Sequence, residues 1–101
     1  MFSGRSDRTL TAGPSLDEIA HDQIADEAFH RYLEWRDECA TVEAAYRNWS
    51  NACAADVTFA FAAFTAALER EEKAASQYKL LIEAGERLLA ARRRRRRRNR
   101  T

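Results

Sequence analysis

Residues 15–84 contain neither glycine nor proline; the three glycines are Gly4, Gly13 and Gly85, and the single proline is Pro14. A β-rich fold needs turn residues about every ten positions, so this absence excludes a strand-and-turn architecture and leaves long helices. Patterns that carry chemistry are missing as well. There is no Cys-x-x-Cys, no zinc-ligand spacing, no Gly-rich phosphate loop and no Ser-His-Asp arrangement, and neither Cys39 nor Cys53 has a histidine at ligand spacing. The longest uncharged apolar run, residues 57–68, falls short of the ~20 residues a membrane span requires. Residues 1–13 are polar and lack an apolar core, so no cleaved signal peptide is expected. These absences predict a cytoplasmic chain that is not an enzyme, binds no metal or cofactor and does not span a membrane. Secretion without a cleaved signal is the alternative.

What is present is helical patterning and polarised charge. The chain has 101 residues, 46% of them hydrophobic, enough for one small folded domain. Its formal net charge of +1 conceals a division. Arg92, Arg93, Arg94, Arg95, Arg96, Arg97, Arg98 and Arg100 hold eight of the 17 basic residues, whereas all 16 acidic residues lie before position 92. An acidic body of net −7 therefore precedes a +8 tail, nine basic residues standing against sixteen acidic ones in residues 1–91.

The predicted organisation is a flexible leader at 1–14, a helical hairpin at 15–91 and an arginine-rich tail at 92–101. The first helix, 15–49, has a capping box: Ser15 follows Pro14 and Glu18 stands three positions on. Ile24, Ala28, Tyr32, Trp35, Cys39, Val42, Tyr46 and Trp49 then recur at spacings of four and three, which keeps them on one side of a helix. Ser50 and Asn51 are the plausible break, giving a turn at 50–52. A second helix, 53–91, carries Val57, Phe61, Phe64, Leu68, Glu71, Ala75, Tyr78, Ile82, Gly85 and Leu89 at the same spacings. The fold class predicted is all-α, an antiparallel two-helix hairpin. Apolar residues off the main stripes, among them Phe29, Leu33 and Phe59, would be costly to leave in water at ~25 cal/mol per Å². Pairing into a four-helix bundle, as a homodimer or with a second helical protein, is therefore expected.

Tyr32, Trp35, Val42, Tyr46, Trp49, Phe61, Phe64, Leu68, Tyr78 and Ile82 are the packing and interface residues this pattern nominates. Within it Glu71 is the one charged member, and residues 30–33 are expected opposite it, with the Tyr32 hydroxyl or the Arg31 or Arg36 guanidinium as its partner. Glu18 with His21, and Glu27 with His30, match the Glu-x-x-His spacing of di-metal helical bundles. Nine positions apart on a helix, the two pairs face opposite sides and cannot share a site. Surface charge is the reading favoured, and a di-metal helical protein the rival. Cys39 and Cys53 are too far apart along a hairpin for a disulfide, so buried free thiols are expected.

Trp49-Ser50-Asn51 and the residues after it resemble the Trp-x-Gly turn of the WXG-type family of small helical hairpins, over roughly residues 40–83. The resemblance implies a dimerising helical hairpin exported by, or partnered within, a type VII secretion system. Asn51 stands where that family has glycine. Ile82 rather than an acid lies four residues after Tyr78, with Glu83 one position later, and an arginine tail is not a family feature.

The tail is the strongest single feature. Such a dense run of cations repels itself, so it is expected to fray unless it meets an anion. Arginine binds phosphate in bidentate fashion, which makes nucleic acid the leading partner and anionic lipid a second. With no aromatic residue among the arginines to stack on bases, binding would be sequence-independent. The function expected is thus a helical-hairpin interaction protein whose tail holds nucleic acid or another polyanion.

Overall fold

The structure, a computed structural model, describes residues 15–100. They form two helices and no strand: α1, Leu16–Ser50, and α2, Val57–Arg100. The two lie side by side as an antiparallel hairpin. The leader proposed at 1–14 lies outside the described residues. Helix α1 starts as its capping box dictates: the Glu18 amide donates to Ser15 Oγ and the Ser15 amide donates to Glu18 Oε1, each at 3.1 Å.

The turn is later and longer than the sequence suggests. Ser50 is the last residue of α1, and Asn51 caps it by donating its amide to the Arg47 carbonyl at 3.0 Å. Asn51 has φ −104°, so nothing at this position calls for the left-handed backbone that favours glycine. Helix α2 begins after Asp56, whose carbonyl accepts the Ala60 amide at 2.9 Å. Residues 51–56 thus connect the helices, in place of 50–52. Moving the turn moves the register. Arg31 meets Gln77 and Glu38 meets Arg70, so facing residues have numbers that add to 108.

The far boundary also differs. Helix α2 has 44 residues against 35 in α1 and runs through the arginine segment to Arg100. Arginine is a good helix former, no glycine or proline follows Gly85, and cations are favoured at a helix C-terminus. Here these effects outweigh the repulsion between neighbouring guanidinium groups. In this register Leu16 stands opposite residue 92, so the last eight residues of α2 project beyond the start of α1.

The seam is held largely by two aromatic groups. Near the turn, Trp49 stacks on Phe64 at 5.3 Å and tilts against Phe61 at 5.0 Å, while Tyr46 meets Phe64 at 5.7 Å. Midway along, Trp35 stacks on Tyr78 at 6.1 Å and Tyr32 meets the same ring at 5.7 Å. Such ring pairs are worth about 0.5–1.5 kcal/mol each beyond area burial. Yet only Ala28, Ala67 and Ala74 are buried among the described residues, and no large side chain is fully enclosed. Two of those alanines lie beside the expected α2 stripe: the column Ala60, Ala67, Ala74, Leu81 and Leu88 also turns inward. Of the nominated packing residues, Tyr32, Trp35, Val42, Trp49, Phe64, Leu68 and Tyr78 are half-buried, whereas Tyr46, Phe61 and Ile82 remain largely exposed. No helix among the described residues is long and apolar enough to cross a membrane.

Candidate polyanion-binding site at the open end of the hairpin

The open end brings the start of α1 against the last turns of α2. The eight nominated arginines do not all behave alike there. Arg92 and Arg95 are half-buried against α1. The Arg95 guanidinium donates to the Asp17 carboxylate, and Arg92 Nη2 reaches the Asp17 carbonyl at 3.5 Å. Arg92 and Arg96 also border a shallow cleft with Ser15 and Glu18. The remaining arginines of the segment, Arg93, Arg94, Arg97, Arg98 and Arg100, are exposed, as is Arg96. On a helix, consecutive residues lie 100° apart, so this exposed set surrounds the projecting end. The nominated tail is thus part anchor and part charged rod.

Asp17 was not distinguishable as a site residue in the sequence. It lies 75 positions from Arg92, and only the helical continuation of α2 and the register of the hairpin bring the two together.

Other candidate residues resolve differently from expectation. Glu71 is half-buried, and its partner is neither Tyr32 nor an arginine: Trp35 Nε1 donates to Glu71 Oε2 at 2.7 Å. The later turn places position 71 against 35–37 instead of 30–33. The Tyr32 hydroxyl instead accepts from Arg36 Nη1 at 3.0 Å, which raises the guanidinium pKa. Arg31 is held by Glu27, Glu34 and Gln77.

The Glu-x-x-His pairs do not converge. Glu18 belongs to the capping box and Glu27 pairs with Arg31, while His21 lies 3.9 Å from Asp22. Among the described residues no three His, Cys, Asp or Glu side chains form a group able to hold a metal. Both cysteines are free. Cys39 is half-buried, and burial, aided by the charge of Glu71, pushes its thiol pKa up. Cys53, contrary to expectation, is exposed in the connection, where its Sγ donates to Asp56 Oδ2 at 3.4 Å.

Comparison with protein-family models, curated proteins and solved structures finds no match to this chain.

Proposed function

We propose that the chain is a non-enzymatic interaction module: a helical hairpin that pairs with a second helical hairpin and presents an arginine rod to nucleic acid phosphates. The observation that carries this reading is the projection of α2 beyond the start of α1 with its arginines exposed. A helix of this kind fits the major groove of duplex DNA, about 12 Å wide, and meets phosphates on both walls. No aromatic side chain accompanies the arginines, which favours backbone contact over base reading.

The test is fluorescence anisotropy of labelled duplex DNA and RNA across a salt series. The intact chain is compared with R93Q/R94Q/R96Q/R97Q, which keeps the length of α2 and the Asp17 anchor. Binding with a log–log salt slope between about −3 and −5, largely lost in the variant, supports the reading. Absence of binding at low salt removes nucleic acid as the partner.

A second reading is favoured by one observation. Trp49 packs beside the turn on Phe61 and Phe64, the place a WXG-type hairpin would use its tryptophan. That reading makes the chain a substrate or partner of a type VII secretion system, and it requires the protein in culture filtrate of cells carrying such a system.

A further inference from the structure

The two flanks of the hairpin seam have opposite character. One is closed by polar contacts between the helices: Asp17 with Arg95, Arg31 with Gln77 and Glu38 with Arg70. The other is open and apolar. Ala25, Ala28, Phe29, Tyr32, Tyr78 and Ile82 line a groove of about 380 Å³. It continues toward the open end as a second groove of about 240 Å³ between Ile24, Leu81 and Leu89. Phe29 is 60% exposed on this flank.

We propose that a second copy of this chain docks on the apolar flank in antiparallel orientation, α1 along α1 and α2 along α2, to complete a four-helix bundle. The proposal rests on the pairing half of the function above and assigns its partner, face and direction.

Charge selects both partner and direction. At the rim of this flank, α2 carries the heptad column Thr65, Glu72, Lys79 and Glu86. An antiparallel copy related by a two-fold axis near Ala75 and Ser76 sets Glu72 of each chain against Lys79 of the other. The column is thus complementary to itself, as a homodimer requires. A parallel copy would instead place Asp22 against Glu86, both acidic, and bring two +8 arginine segments to the same end. The antiparallel copy separates those segments by the length of the bundle. It also lays each projecting end beside the partner's connection at residues 51–56, where Asp56 sits, and it opposes the helix dipoles.

The experiment uses the full chain without nucleic acid. Sedimentation equilibrium reads the mass, and double electron–electron resonance reads the distance between spin labels on the exposed Cys53. The expected results are a dimer at micromolar concentration and labels roughly 55–60 Å apart, from ~19 residues on each side of the axis at 1.5 Å per residue. E72K alone, or K79E alone, should weaken the dimer by roughly three- to tenfold, and E72K/K79E should restore it. A monomer at all concentrations overturns the proposal and the pairing half of the function together. A dimer whose labels lie within about 20 Å, or one that E72K/K79E fails to rescue, overturns this face and direction alone and leaves pairing standing.

Discussion

Glu71 shows how one polar residue is accommodated in an otherwise apolar stripe. Its carboxylate receives the indole N–H of Trp35 across the seam, at the charge-assisted distance of 2.7 Å. Removing the donor while keeping the ring apolar leaves the carboxylate half-buried without that bond. W35F should therefore lower unfolding stability by ~1–2 kcal/mol, measured by urea denaturation. E71M removes charge and acceptor together and fills the same space, so it should cost less than W35F. The reverse order would show that the bond matters less than the loss of indole area. The identity of this partner was not legible in the sequence. The carboxylate's place in the stripe was, but which group met it depended on a register that three or four extra residues in the connection displaced.

Each helix end illustrates a different degree of legibility. The start of α1 could be read directly, because Ser15 and Glu18 satisfy each other's neighbouring amides using only local residues. The Ser15 amide and hydroxyl hold the Glu18 carboxyl below its ordinary value of 4.5. A carboxyl whose folded value is depressed stabilises the fold above the unfolded value, and that contribution disappears as pH falls through the folded one. The Ser15 and Glu18 amide resonances should accordingly shift as pH is lowered from about 5 to about 2, and E18Q should abolish that step. A flat profile in the unmodified chain would show that the box is not closed. The end of α1 was read to within a residue or so, but the start of α2 was not. Ala52, Ala54 and Ala55 favour helix intrinsically, so local propensity hides a break there. The break is made by packing: Trp49 must stack on Phe61 and Phe64, so the chain needs room to reverse between them. The end of α2 was obscured for the opposite reason. Charge repulsion argued for fraying, whereas helix propensity, the dipole and the distant Asp17 anchor carry the helix to Arg100.

At the scale of the whole molecule, the heptad stripes made the two-helix hairpin legible, because 4–3 spacing survives small errors in where helices begin. What they could not reveal is how thin its interior is. With alanines as the only buried residues described, the hairpin lacks the enclosed large side chains on which an independent fold depends. Association should therefore supply much of its stability. The thermal midpoint followed by circular dichroism should rise as the chain is concentrated from micromolar to hundreds of micromolar. A midpoint independent of concentration would mean that the hairpin stands alone on its aromatic seam.

The projecting end of α2 has one more consequence, for the entropy and speed of capture. A floppy run of arginines would sweep a wide volume and surrender that freedom whenever it gripped an anion. A rod of eight residues reaches only about 12 Å beyond the start of α1, fixed in direction by the hairpin behind it. It searches less space and relies on diffusion of the whole particle for encounter, but it has little disorder left to lose on contact. The molecule trades reach for aim.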